Sequence, residues 1–306
     1  MIVAITGGTG FVGSEVVRQL HATGHVPRLL VRSPSSSKAQ ELKANFDAEL
    51  KFGDVLSSDS LAEAIAGCGA VIHLVGIISE VGRQTFARVH TEGACNVLSA
   101  SKQAGVRRYI HMSALGTRPN AVARYHQTKW AAEQAVRASG LVWTVFRPSI
   151  IYGPGDGFVN LFARLSRFLP VLPLIGGGQT RFQPVSVADV ASCFVGALTE
   201  TASQSQTFDL TGPETLTLRE IVETILAVTH RRRALLPLPF SVAHIQAACA
   251  EFVFNRCFRI APPLNRDQVA MLREDNIGDG RQARELFRLS PTSFRDGISR
   301  YLNTAT

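Results

Sequence analysis

Ile2-Val3-Ala4-Ile5-Thr6-Gly7-Gly8-Thr9-Gly10-Phe11-Val12-Gly13 follows the first methionine and decides how the rest of the chain is read. The residues before Gly7 form an apolar, β-branched run, as in a strand covered on both faces of a parallel sheet. From Phe11 the apolar residues recur at helical spacing as far as Thr23. Between the two runs, the glycines at 7, 10 and 13 suit a tight turn, close approach of a diphosphate, and close helix–strand packing, in that order. The first helical turn offers free N–H groups and a partial positive charge to an anion. Gly7, Thr9, Gly10, Phe11, Val12 and Gly13 are therefore candidate cofactor residues. A glycine triplet alone reads as an ordinary turn; between a strand and an amphipathic helix it reads as a dinucleotide cradle.

Outward from this unit, β-rich runs at 28–32, 50–52, 70–75, 108–112 and 142–147 alternate with helical patterns at 60–66, 85–104 and 124–139. That alternation predicts an α/β protein with a Rossmann-type, doubly wound parallel sheet over residues 1–150. Beyond Arg147, Pro148, Pro154, Pro170, Pro173 and Pro184 break the chain into shorter pieces. Helical patterns return at 187–199, 218–230, 240–257 and 281–286. Residues 151–306 are expected to form a smaller α/β substrate part on the C-terminal edge of the sheet, with chain crossovers allowed between the two.

The end of the second strand reports on cofactor type, because a carboxylate there suits a free ribose 2′-hydroxyl and an arginine suits a 2′-phosphate. Val31-Arg32-Ser33 is followed by Ser35, Ser36, Ser37 and Lys38, with no acid before Glu41. Arg32, Ser33 and Lys38 together favour NADP(H), with NAD(H) as the alternative. Gly53-Asp54-Val55 and Val75-Gly76-Ile77 end the third and fourth strands, on the rim where open α/β sheets bind ligands. Asp54 can accept a hydrogen bond from an adenine amino group, and Gly76 lets the backbone pass close to a ribose.

Tyr125-His126-Gln127-Thr128-Lys129 begins the helical pattern at 124–139 and sets Tyr125 and Lys129 on one face. A nearby cation favours a phenolate, so Lys129 is expected to lower the proton affinity of Tyr125 while bonding the nicotinamide ribose. Ser113, ending the strand at 108–112, is the third candidate catalytic residue and would orient a substrate oxygen. The expected chemistry is hydride exchange with a carbonyl or carbinol carbon, with Tyr125 moving the proton.

With these motifs in place, the chain resembles the short-chain dehydrogenase/reductase superfamily in its extended and atypical branches. Arg147-Pro148-Ser149-Ile150-Ile151-Tyr152-Gly153-Pro154 is similar to their post-strand segment and adds Pro148 and Ile151 as cofactor residues. The likeness is closer to bacterial relatives of the NAD(P)-binding accessory subunit of respiratory complex I. It rests on His73-Leu74-Val75-Gly76-Ile77, Phe86-Ala87-Arg88-Val89-His90-Thr91-Glu92-Gly93, His111-Met112-Ser113-Ala114-Leu115-Gly116 and Pro262-Pro263-Leu264-Asn265-Arg266-Asp267-Gln268-Val269. The resemblance implies bound NADP(H), with Lys129 and Ser113 on the nicotinamide side. It also implies a second role, since the mitochondrial relative holds its nucleotide as a structural part. Sugar-nucleotide epimerases carry an Asn–Val pair where this chain has Val89-His90, which argues against a sugar-nucleotide substrate.

The 306 residues are 45% hydrophobic and 18% charged, which excludes a disordered, collagenous or disulfide-stapled chain. Lys and Arg number 32 against 24 Asp and Glu, and the net charge of +8 permits anionic partners without selecting one. The cysteines at 68, 95, 193, 249 and 257 show no CxxC pair and read as free thiols of a reducing compartment. His21 and His25 flank Gly24 and read as a solvated helix end, so no metal is expected. No leader pattern and no run of about 18 apolar residues is present, which predicts a soluble cytoplasmic protein, with peripheral attachment to the inner membrane as the alternative. Arg231-Arg232-Arg233 reads first as a charge cluster near a helix C-terminus, and second as an attraction to acidic lipid or an acidic partner. The apolar stretch 240–258 reads as core or lid, with membrane contact as the alternative. No nucleic-acid-binding pattern appears, so none is expected as a partner. Two functions stand: an NADP(H)-dependent oxidoreductase or epimerase-like enzyme on a small or lipid-soluble carbonyl compound, and a nucleotide-binding accessory or redox-sensing module of a respiratory or quinone-related membrane assembly.

Overall fold

A computed structural model describes residues 1–302; the last four residues of the expected 151–306 part lie outside the described residues. The strands are β1 (Ile2–Thr6), β2 (Val26–Val31), β3 (Glu49–Phe52), β4 (Ala70–His73), β5 (Arg108–Met112), β6 (Val142–Pro148) and β7 (Ile151–Tyr152). They continue with β8 (Val171–Ile175), β9 (Arg181–Phe182), β10 (Val185–Ser186), β11 (Gln206–Leu210), β12 (Leu216–Thr217) and β13 (Ala234–Leu238). The helices are α1 (Phe11–Ala22), α2 (Ser37–Phe46), α3 (Ser58–Ile65), α4 (Gly93–Gln103), α5 (Arg124–Arg137) and α6 (Val159–Phe168). After them come α7 (Val187–Gly196), α8 (Leu218–Val228), α9 (Phe240–Val253), α10 (Arg266–Met271), α11 (Arg281–Leu286) and α12 (Phe294–Leu302).

Seven strands make one parallel sheet in the order β11-β6-β5-β4-β1-β2-β3. The order reverses between β1 and β4, and such a switch point opens a crevice at the carboxyl ends of the strands. Side chains alternate across β1: Val3 and Ile5 pack with α1 and α7 through Val16, Leu20, Val190 and Phe194, whereas Ala4 faces Leu61, Ile65 and Val97 of α3 and α4. This is the Rossmann-type arrangement expected from the opening residues.

The chain recrosses the sheet after residue 150. Helix α7 lies beside α1, and β11 adds to the sheet edge alongside β6. Arg108 ties this return to the sheet. Its Nε and Nη2 donate to the Ala197 carbonyl at the C-terminus of α7 (3.0 and 2.6 Å), and Nη2 also reaches Ser203 Oγ (2.9 Å). The negative end of the helix dipole offsets part of the cost of burying this cation. The remaining C-terminal elements form their own core around Leu172, Leu174, Ile221, Ile225, Phe294 and Ile298.

Several details depart from the sequence reading. Helix α2 was not foreseen, because Ala39 and Leu42 are the only buried residues of its ten. The pattern at 85–104 divides into a π-helical turn, Ala87–Glu92, and α4. The fourth strand stops at His73, not at residue 75: the Leu74 N–H still donates to the Thr6 carbonyl (3.1 Å), and Val75–Ile77 then turns into the crevice.

Candidate functional site

A groove of about 280 Å³ lies at the switch point, lined by Gly7, Thr9 and Gly10 on one side and by Val75, Gly76 and Ile77 on the other. Arg32, Asp54 and Val55 line its far end. Nine of the sequence-chosen cofactor residues thus meet in one cleft. Gly7 sits at φ 76°, a left-handed conformation that favours glycine, and its carbonyl accepts the Gly10 N–H at 3.0 Å. A Cβ at Gly13 would run into the Gly7 carbonyl oxygen and lie 2.7 Å from the Gly8 Cα. The N-cap of α1 is Gly10, with no side chain to occupy the first amides. A backbone cradle this close, leading to an uncapped helix start, fits a dinucleotide diphosphate.

Other chosen residues lie outside the lining. Val12 is buried and Gly13 packs beneath the turn, so both shape the cradle from below. Phe11 packs against the core on the α1 side, as does Ile151 from β7. Pro148 ends β6, where its carbonyl accepts the Leu115 N–H at 2.9 Å. Ser33 is exposed beyond Arg32, and Lys38 is turned to its own helix, paired with Glu41 at 3.0 Å. Leu30, Leu56, Leu74, Gln84 and Val89 line the groove but were not picked from sequence. Leu30 and Leu56 carry no motif, Leu74 and Val89 stood in segments of the family resemblance without a role of their own, and Gln84 is brought in by the small Val81–Gln84 bridge, which nothing local foretells.

Lys129, Ser113 and Tyr125 do not line the groove: Lys129 is buried beside Gly76, and its ammonium donates to the Met112 carbonyl at 2.9 Å, next to Ser113 in the chain. Gly76 leaves the space that Lys129 uses: a Cβ there would lie 3.1 Å from Nζ. Burial lowers the Lys129 pKa to about 8, against a partial restoring pull from Glu133. Four imidazoles share this region and are held neutral, first by burial. His73 is brought down to about 3, His90 to about 2 and His126 to about 4, while His111 lies well below its usual value. The Lys129 charge adds to each of these depressions.

His90 bridges two elements: its Nε2 meets the Ile77 backbone (N–H at 3.0 Å, carbonyl at 3.1 Å) and its Nδ1 meets Thr128 Oγ1 (3.0 Å), which ties the groove loop to α5. Ser113 is buried and its hydroxyl donates to Thr117 Oγ1 at 3.4 Å, which in turn meets His126 Nδ1 at 3.3 Å.

Tyr125 lies half-buried with its ring edge-on to Phe86, His90 and His126. Burial pushes its pKa up to about 12, opposite in direction to the lowering expected from Lys129. The reason is geometric: among the described residues no hydrogen bond joins the Tyr125 hydroxyl to Lys129 or Ser113, and the ammonium donates to the Met112 carbonyl. The start of α5 is held from outside the helix. Ala123 at its N-cap has no capping oxygen, and the Asp267 carboxylate accepts the Tyr125 N–H (2.7 Å) and the Arg124 N–H (3.3 Å) instead. Two residues earlier, Asn265 Nδ2 donates to the Ile78 carbonyl (2.8 Å) and Ser79 Oγ (2.7 Å). His90, Asn265 and Asp267 stood inside segments that carried the family resemblance, but their roles depend on partners distant in sequence.

A switch-point crevice with this glycine cradle defines a Rossmann-type dinucleotide-binding protein. A family model described as NAD(P)H-binding matches residues 7–201, and the chain belongs to that family. It is 32% identical over 286 residues to NADH dehydrogenase [ubiquinone] 1 alpha subcomplex subunit 9 of Arabidopsis thaliana, covering 90% of this chain and 71% of that one. It is 34% identical over 194 residues to a ceramide reductase of Caulobacter vibrioides, covering 63% of this chain and 60% of that one. Among solved structures, a UDP-glucose 4-epimerase from Thermotoga maritima superposes with a TM-score of 0.77 at 21% identity, over 99% of this chain and 98% of that one, and shares the fold. The kinship with the complex I accessory subunit and the Rossmann class are both borne out.

Proposed function

We propose that this protein is an NADP(H)-dependent oxidoreductase that reduces a carbonyl, or oxidises the matching carbinol, on a lipid-soluble substrate. The observation that carries this reading is Lys129: a buried ammonium fixed between Gly76 and the Met112 carbonyl, at the nicotinamide end of the cradle and on the helix face of Tyr125. Gly7, Thr9 and Gly10 would hold the diphosphate, and Arg32 the 2′-phosphate. The bound dinucleotide supplies or accepts the hydride. In reduction, Tyr125 gives its proton to the carbonyl oxygen as the carbon is reduced, and Ser113 donates a hydrogen bond to that oxygen. A phenol with a pKa near 12 is fully protonated at neutral pH, which suits it to the donor role in reduction. A relative named ceramide reductase supports a lipid as the substrate class.

A second reading, a nucleotide-holding module in a respiratory assembly, is favoured by the absence among the described residues of a Tyr125 hydroxyl bond to Lys129 or Ser113, and by the complex I relative. Tyr125→Phe separates the two. Assayed by NADPH oxidation with long-chain ketones in micelles, the enzyme reading expects turnover to fall by about 10²–10⁴ with NADPH affinity intact. Wild-type protein without turnover, or a variant as fast as wild type, supports the module. For cofactor choice, Arg32→Ala is expected to weaken NADPH binding by about tenfold or more while leaving NADH within about twofold. Equal losses would remove the phosphate role of Arg32.

A further inference from the structure

Helix α9 is built inside out. Its two buried residues are Ala243 and Ala247, which pack with Phe240 of the first turn on Val269, Ile175 and Leu264, whereas its other large apolar side chains face outward. Val242, Ile245, Cys249, Phe252 and Val253 recur at spacings of three, four, three and one, which places them within an arc of roughly 100° opposite the alanines. Ile245 is 64% exposed and Phe252 68%. Past the helix, Phe258 of the π-helical turn Phe254–Phe258 is 62% exposed, and Ile260, beyond the turn, is 53% exposed. Single exposed apolar residues need no explanation, but a helix that buries two alanines and exposes most of its larger apolar side chains does.

Charge narrows the choice of partner. From residue 231 to 260 the sequence carries Arg231, Arg232, Arg233, Arg256 and Arg259 against one carboxylate, Glu251. That carboxylate is already paired with Arg266 at 2.7 Å. Arg231 and Arg233 bond carbonyl oxygens near the end of α6, and among the described residues neither they nor Arg232 or Arg259 forms an ion pair. An exposed apolar stripe about three turns long, in a segment that carries five arginines against one carboxylate, fits a surface that is apolar beneath an anionic layer. No helix of the described residues is long and apolar enough to cross a membrane, so such a contact lies in the plane of the surface.

We propose that the outer face of α9 and the turn after it dock this protein on an anionic phospholipid bilayer. Behind that face, α9 packs on α10, and Asn265 and Asp267 at the start of α10 hold the Ile78–Ser79 loop and the first turn of α5. The docking element is therefore two contacts away from Tyr125. A lipid-borne substrate would reach the groove from the bilayer side, a step that rests on the reduction proposed above; the docking itself does not.

The full chain sedimented with vesicles of equimolar phosphatidylcholine and phosphatidylglycerol tests this. Partition is expected to exceed that on phosphatidylcholine alone by about tenfold and to weaken with added salt. The double variant Ile245→Asp, Phe252→Asp should lose about tenfold or more of that partition, with its thermal unfolding unchanged because both side chains are exposed. In a Phe252→Trp variant, emission attributable to the new indole should shift to the blue on mixing with the anionic vesicles. No partition, unaltered partition in the double variant, or an unshifted indole would overturn the proposal. Self-association abolished by the double variant without vesicle binding would give the face to a second copy and overturn it as well. Loss of NADPH binding or turnover bears on the proposed reaction and leaves vesicle binding untouched.

Discussion

Lys129 carries a cost that a ligand can relieve. Its pKa falls from 10.5 to about 8 on burial, and each unit corresponds to about 1.4 kcal/mol, so holding the charged form in this site costs roughly 3 kcal/mol before anything binds. The sign for folding follows. Between about pH 8 and 10.5 the unfolded chain binds this proton more tightly than the folded one, so the contribution of Lys129 to stability rises with pH through that window. For binding the sign reverses. An anionic dinucleotide beside the ammonium raises its pKa, so above about pH 8 binding takes up a proton and affinity falls as pH rises. Calorimetry of NADPH binding near about pH 9, in two buffers of different ionisation enthalpy, should give heats that differ by the uptake of a fraction of a proton. The difference should vanish in Lys129→Met. Equal heats for the wild type in both buffers would show that the ligand does not approach this residue.

Helix α5 depends on a distant element for its first turn, which makes Asp267 a test at the scale of one helix. The carboxylate satisfies two amides that Ala123 cannot, and a negative charge there also suits the helix dipole. Asp267→Ala should cost about 1 kcal/mol, a fall of a few degrees in the thermal midpoint, and lower turnover through the altered placement of Tyr125. Asp267→Asn keeps an accepting oxygen and should recover most of the midpoint. Thermal scans in which all three proteins coincide would deny the cap. This dependence also shows where the sequence stops being readable. The i, i+4 relation of Tyr125 and Lys129 is local and was visible, and so were the bounds of α5 to within two residues. The partner of the Tyr125 amide lies 142 residues away, and the raised phenol pKa follows from burial created by that packing. Helix α2 illustrates the other limit, since two buried side chains in ten residues leave little periodicity to detect.

In the molecule as a whole, the parallel sheet was legible because β1 and β4 are nearly all apolar and the first turn is constrained by glycine. The order of six strands follows from the doubly wound pattern. The seventh does not, because β11 comes from beyond the expected boundary and is tied down by α7 and the buried Arg108. The groove follows from the sheet order, and so nine chosen residues meet there, whereas Pro148, Ile151, Ser33, Lys38 and Lys129, placed by motif or nearness in sequence, do not line it. The most direct test of the account is titration calorimetry of NADPH into the wild type and into Gly13→Val, whose side chain must displace the Gly7 carbonyl. The expected result is one site per chain in the wild type and affinity at least about a hundredfold weaker in the variant, with the variant still folded by circular dichroism. A wild type that binds neither NADPH nor NADH, or a folded variant that binds as tightly as wild type, would contradict it.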